Sequence, residues 1–168
     1  MSVNIITETT QFLSFKLGEE VFAVDVAKVR EILDVTAITK VPQTPDFMRG
    51  VINLRGSVVP VMDMRLKFGM PPTERTVNTC IIVMEVTQEG ETMVLGSLAD
   101  SVQEVLDLDP DQIEAAPRIG TRLRSDFIKG MGKHNDRFII ILDIDKIFSS
   151  DELETITGTM TGDGMLEE

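Results

Sequence analysis

The chain has no tryptophan and no tyrosine, and only one histidine and one cysteine among 168 residues. Each shortage narrows what it can do. A single cysteine forbids an intrachain disulfide and fits a reducing compartment. Cys80 stands in the apolar run Cys80-Ile81-Ile82-Val83, so it reads as a buried small hydrophobe and not as a nucleophile. His134 has no serine or cysteine partner in any motif and reads as a surface polar residue. The nucleophile elbow G-x-S-x-G, the phosphate-binding P-loop and the dinucleotide fingerprint are all missing. A net charge of −12 without Trp or Tyr supplies neither the cation excess nor the usual stacking platforms of a nucleic-acid binder. No apolar run reaches membrane-span length, and Met1–Phe12 lacks the basic start and apolar core of a signal peptide. Asp107-Leu108-Asp109-Pro110-Asp111 resembles a calcium loop only superficially. Gln112 replaces the turn glycine, and Arg118 replaces the bidentate glutamate. No catalytic residue, metal or cofactor is expected.

What is present is an internal repeat. Asp46-Phe47-Met48-Arg49-Gly50 is answered 80 residues later by Asp126-Phe127-Ile128-Lys129-Gly130, and Val58–Met64 by Phe138–Ile144 at the same offset. Val29-Arg30-Glu31-Ile32-Leu33 matches Val102-Gln103-Glu104-Val105-Leu106 at an offset of 73. Chance similarity of aliphatic strands does not explain aligned aspartates and a shared DF-x-basic-G, so two copies of a small subdomain are expected. Between the matched blocks the copies diverge. Asn53-Leu54-Arg55-Gly56 stands against Lys133-His134-Asn135-Asp136. Gly, Asn and Asp suit a tight hairpin turn, so the turn is kept while its chemistry changes.

Hydrophobic residues at 42% and charged residues at 26% describe a folded globular chain. Short strand-like runs dominate, with turns at Gly18-Glu19-Glu20, Arg55-Gly56 and Gln88-Glu89-Gly90-Glu91. In the first strand the apolar face is expected at Leu13, Phe15 and Leu17. Val29–Leu33 and Val35–Thr39 read as the next extended runs. Asp46 reads as the cap of one helical turn ending at Gly50. Pro60 cannot donate a ladder hydrogen bond, which predicts an edge strand or a bulge. Asp63–Gly69 and the Asp109-Pro110 segment read as short helices. Gly69–Val77, with Pro71-Pro72, is the joint. The domain is expected over 11–150, with subdomains roughly 11–70, plus contributions across the joint, and 78–150. Residues 151–168, with six acidic and no basic residues, read as a short acidic helix and a flexible tail from Gly158. The fold class is mostly β, as small barrels.

The segment Gly50-Val51-Ile52-Asn53-Leu54-Arg55-Gly56, with Phe22–Val26, Val29-Arg30-Glu31-Ile32 and Pro42-x-x-Pro45, strongly resembles the CheW-like domains of bacterial chemotaxis. The similarity runs from Gln11 to Lys146. It implies two SH3-like five-stranded β-barrel subdomains, with a few short helices, around a shared core. It also implies a non-enzymatic adaptor between the cytoplasmic tip of chemoreceptors and the regulatory domain of the histidine kinase CheA. Such an adaptor would be cytoplasmic, at membrane receptor arrays, without inserting in the membrane. The resemblance implies receptor-facing roles for Val29, Glu31, Gly50, Arg55 and Val102. From the residue pattern alone, the two valines read as ordinary core. A second kinase contact is implied at Glu114 and Ile119. The alternatives are a regulatory fragment of CheV or CheA, or a phosphotransfer enzyme using Asp63 or Asp143.

Overall fold

The computed structural model describes residues 9–115 and 127–161, with side chains through residue 156. Asp126 and Ile119 lie outside the described residues. Three strands open the fold: β1 (Thr10–Leu17), β2 (Glu20–Asp25) and, after a 3-10 turn at Val26–Lys28, β3 (Val29–Asp34). The hairpin β4 (Met48–Leu54) and β5 (Ser57–Met62) leads into helix α1 (Met64–Lys67). Then come β6 (Cys80–Gln88), β7 (Glu91–Ala99), β8 (Ser101–Leu108) and the two-residue β9 (Ile113–Glu114). The hairpin β10 (Ile128–His134) and β11 (Arg137–Leu142), with helices α2 (Ile144–Ile147) and α3 (Ser150–Thr161), completes it. The protein is mostly β, as the sequence implies.

The offset of 80 reappears as geometry. Strands β4 and β5 and helix α1 start and end 80 residues before β10, β11 and α2. The Asp63 amide donates to the Phe47 carbonyl and the Asp143 amide to that of Phe127, both at 2.7 Å. Each aspartate then caps its helix, accepting from the amide of Arg65 or Asp145. Phe68 stacks on Phe127 with centroids 5.1 Å apart, and Phe148 meets Phe47 at 5.4 Å. The aromatic of one copy therefore packs on that of the other, twice.

The strands do not divide as the chain does. One sheet runs β8-β1-β2-β11-β10-β9, the other β3-β6-β7-β5-β4. The first copy's hairpin β1–β2 pairs antiparallel with β8 and parallel with β11. Reciprocally, β6–β7 of the second copy pairs antiparallel with β3 and parallel with β5. Each sheet is thus one copy's first hairpin completed by the other copy's later strands. Alternation along the strands serves two cores at once. Ile81 and Val83 join Ile52, Val59 and Val61 inside one sheet. Ile82 and Met84 join Phe15, Phe22, Met62 and Phe148 in a core shared by both. Phe12, Leu106, Leu108 and Ile141 fill the inside of the other sheet.

This double burial corrects the expected alternation in β1, where Phe12, Leu13, Ser14 and Phe15 are all buried. Ser14 is tolerated because its hydroxyl donates to the Glu104 carbonyl at 2.9 Å. Val35–Thr39 is not a strand. Only Thr39 pairs, in an isolated bridge to Val51, while Val35 and Ile38 fold onto the sheet interior. Asp46-Phe47 is a turn, closed by the Met48 amide on the Pro45 carbonyl at 3.0 Å, and no helix forms there. Pro60 lies in an interior strand, between β7 and β4. It is accommodated because β7 pairs with β5 only from Val61 onward. Helix α3 continues to Thr161, so Gly158 does not end it.

Candidate partner-binding site

The β4–β5 turn carries an unsuitable residue for its shape. Arg55 has φ 51° and Gly56 φ 90°, and the Asn53 side chain accepts the Gly56 amide at 2.8 Å. At the equivalent turn Asn135 and Asp136 have φ 53° and 63°, and those residue types visit the left-handed region at least cost. An arginine there is strained, and strain kept at a surface position points to function. The Arg55 side chain is 70% exposed and bridges to Glu31 through its two terminal guanidinium nitrogens. Hydrogen bonding to Arg55 holds the Glu31 carboxyl below its ordinary range, and the same contact raises the Arg55 guanidinium.

Glu31 reaches the turn because β3 forms one edge of a sheet whose other edge, β4, runs into the Arg55 turn. The curl of the sheet brings the edges together. Beside the pair lies a groove of about 560 Å³ lined by Arg30, Leu54, Val58, Met93 and neighbouring residues. Arg30 donates to Glu85 at 2.6 Å, and Val58 is 44% exposed. Two arginines with apolar side chains between them suit a partner that offers a carboxylate next to an apolar knob. Arg30, Glu85 and Val58 were not read from the sequence. The available signal was the alternation of β3, which exposes Arg30, Ile32 and Asp34.

The other residues singled out in the sequence fall elsewhere. Val29 opens β3 opposite Met84, and Val102 lies on β8 opposite Phe15. Both are partly buried against the shared core. Gly50 is buried in β4 with φ 145°, and a Cβ there would lie 2.2 Å from the Thr39 carbonyl oxygen. Its absent side chain makes room for the Thr39–Val51 bridge. Gly130 does the same for β9, where a Cβ would stand 2.9 Å from the Glu114 carbonyl oxygen. Glu114 is exposed and pairs with Lys133 at 2.6 Å. Glu104, equivalent to Glu31, lies 3.7 Å from His134, which stands at the position of Leu54, while Asn135 takes the place of Arg55.

The remaining candidates are structural. Asp63 is fully buried and accepts from the Thr73 amide and hydroxyl at 2.9 and 2.8 Å. Cys80 is buried, and desolvation followed by the charge of Asp34 pushes its thiol up. Among the described residues no cluster of three His, Cys, Asp or Glu could hold a metal. No described helix is long and apolar enough to cross a membrane.

Two exchanged β subdomains with short capped helices define the class. The pattern of the CheW-like domain family matches residues 11–152, and the chain belongs to that family. The chemotaxis protein CheW of Klebsiella aerogenes is 38% identical over 146 residues, covering 87% of this chain and 86% of that protein. The crystal structure of the scaffolding protein TtCheW from Thermoanaerobacter tengcongensis superposes with a TM-score of 0.74 at 33% identity. That match spans 85% of this chain and 94% of that one. The chemotaxis protein CheV3 of Helicobacter pylori is 25% identical over 131 residues, but only 41% of its length is covered. The fold is therefore the SH3-like β architecture of CheW, and the protein is a chemotaxis scaffold.

Proposed function

We propose that this protein couples chemoreceptors to the histidine kinase CheA without catalysing a reaction. The observation that carries this reading is Arg55, held in a left-handed turn and paired with Glu31 at the rim of an amphipathic groove. The receptor tip would enter there, its carboxylate on Arg55 and its apolar side chain against Val58 and Leu54. Val29 and Val102 would support the adjoining surface from the shared core, and Gly50 would hold β4 in shape beneath it. The second kinase contact would lie at Glu114 and Ile119, and the protein would act in the cytoplasm beside receptor arrays. A phosphoacceptor role is disfavoured, because Asp63 is buried and its oxygens are engaged by Thr73 and the Arg65 amide. A CheV-like reading is disfavoured by the higher identity of the CheW relatives.

The test is reconstitution with CheA and receptor cytoplasmic fragments in nanodiscs. Kinase activity should rise only when all three components are present, and phosphorylated CheA should neither lose nor transfer phosphate to this chain. Activation by receptor and CheA without the chain, or phosphate on the chain, would overturn the reading.

A further inference from the structure

Among the described residues the chain passes between the two sheets at two places, and both are fastened alike. The 3-10 turn Val26–Lys28 leads from β2 in one sheet to β3 in the other. Asp100 alone leads back, from β7 to β8. At the first crossover the Lys28 ammonium binds the Asp145 carboxylate of α2 at 2.8 Å. That carboxylate also accepts the amide of Thr87, near the end of β6, at 2.8 Å. At the second crossover the Asp100 carboxylate binds the Arg65 guanidinium of α1 at 3.0 Å and accepts the Gly18 amide of the β1–β2 turn at 2.6 Å. Each fastening joins a crossover of one copy to a helix and a hairpin of the other. Arg65 and Asp145 are equivalent at the offset of 80, yet their charges are opposite, and each crossover carries the charge that matches. The arrangement is the same joint built twice with reversed polarity.

We infer that Lys28–Asp145 and Asp100–Arg65 are positioning residues that fix the relation of the two sheets, and through it the transmission from receptor to kinase. None of the four lines the Glu31–Arg55 groove or includes the second-contact residue Glu114. The two carboxylates also accept backbone amides, Asp145 that of Thr87 and Asp100 that of Gly18, so charge-assisted hydrogen bonds tie each joint to the backbone of the other copy's hairpin. The aromatic and aliphatic core between the sheets is non-directional, whereas the joints fix particular atoms of one copy against the other. Opposite polarity also excludes mispairing, since Lys28 at the Arg65 joint would face a like charge.

The consequence for signalling rests on the proposed adaptor role, whereas the positional claim does not. In a Cys80→Ala background, spin labels at the exposed positions Ser57 on β5 and Gln103 on β8 report the distance between the sheets. In Asp100→Asn and Asp145→Asn, which keep an acceptor for the amides but lose the charge, the distribution should broaden. Lys28→Met should broaden it equally, and Lys28→Arg should restore it. An unchanged distribution in all variants overturns the inference. In the reconstituted complex, binding of the receptor fragment and of CheA measured separately should stay within about twofold of wild type. Receptor control of the kinase should fall by about fivefold or more, the low end of a typical coupling between sites. Broadened distances with intact control overturn the signalling half. Failure of the wild-type chain to bind either partner sinks the adaptor reading and leaves the distance measurement to decide the joints.

Discussion

At the scale of single residues, two positions that the family resemblance groups together separate into different physical roles. Gly50→Ala puts a Cβ 2.2 Å from a backbone oxygen at a φ of 145°, and neither the carbonyl nor the φ can relax cheaply. The variant should lose about 3 kcal/mol of stability in urea unfolding, and any loss of receptor binding should scale with the unfolded fraction. Arg55→Ala should behave in the opposite way. Its side chain is 70% exposed, and alanine leaves a turn no more strained than before. The variant should melt within a few degrees of wild type and bind CheA normally. Its receptor affinity should fall about twentyfold or more, as for a truncated charge at an interface centre. Intact receptor binding with a collapsed fold would make Arg55 structural. The same pair predicts a pH dependence. The Glu31 pKa is depressed in the folded chain, so the pair's contribution is complete above the unfolded carboxylate value of about 4.3. It is lost as pH falls through the lower folded value. An NMR titration of the Glu31 carboxyl should show its midpoint rise in Arg55→Ala. An unmoved midpoint would mean that the pair is not formed in solution.

At the scale of elements, the hairpins were legible because a turn leaves a local mark. Arg55-Gly56 and Asn135-Asp136 are four residues with positive φ, and three of them are types that declare it. The short helix over Asp63–Gly69 was legible as α1, whereas the caps themselves, Asp63 on α1 and Asp143 on α2, emerge from the structure. Val35–Thr39 misled because a β-branched run carries the propensity of a strand whether or not a neighbour is present to pair with it. The Asp46 segment misled because an aspartate that can cap a helix also suits a turn. Helix α3 extends the argument to the end of the described side chains. Burial pushes the Glu152 carboxyl up. The Lys67 ammonium at 2.7 Å and the Ser149 amide outweigh that effect and leave it low. Lys67 also sits over the Phe47 ring at 5.1 Å, so α3 is held by charge at its first turn and by Leu153 and Ile156 in the shared core. Ile156 is fully buried, and Ile156→Ala should lower stability by about 2–5 kcal/mol, the range of large-to-small core changes. A urea midpoint equal to wild type would show that α3 does not dock in solution.

At the scale of the whole molecule, the repeat was legible and the exchange was not. Self-similarity is a property of the chain in order, whereas pairing of β1 with β8 joins residues about 90 apart, such as Ser14 and Glu104. No local pattern distinguishes that sheet from one that each copy completes for itself. The ion pairs that fasten the crossovers were hidden likewise, Lys28 and Asp145 being distant in sequence and ordinary in context. Exchange has a thermodynamic consequence. Neither half of the chain contains a complete sheet, and the shared core draws Phe15, Met48 and Met64 from the first half and Ile82, Leu95 and Phe148 from the second. Each half alone would expose both its unpaired strand edges and its share of that core, and a domain of that size has little stability to lose. The protein should therefore unfold in one transition, with calorimetric and van't Hoff enthalpies equal. Cleavage within Gly69–Val77, the connection between the halves, gives a direct check. The fragments 1–73 and 74–168, purified apart, should show disordered far-ultraviolet circular dichroism and no cooperative melt. Mixed after refolding, they should elute together and regain the strand signal, because the exchanged hairpins need each other's sheets and not the peptide bond between them. A native-like melt from either fragment alone would mean that each copy can close its own barrel, and that the exchange is not what holds the fold.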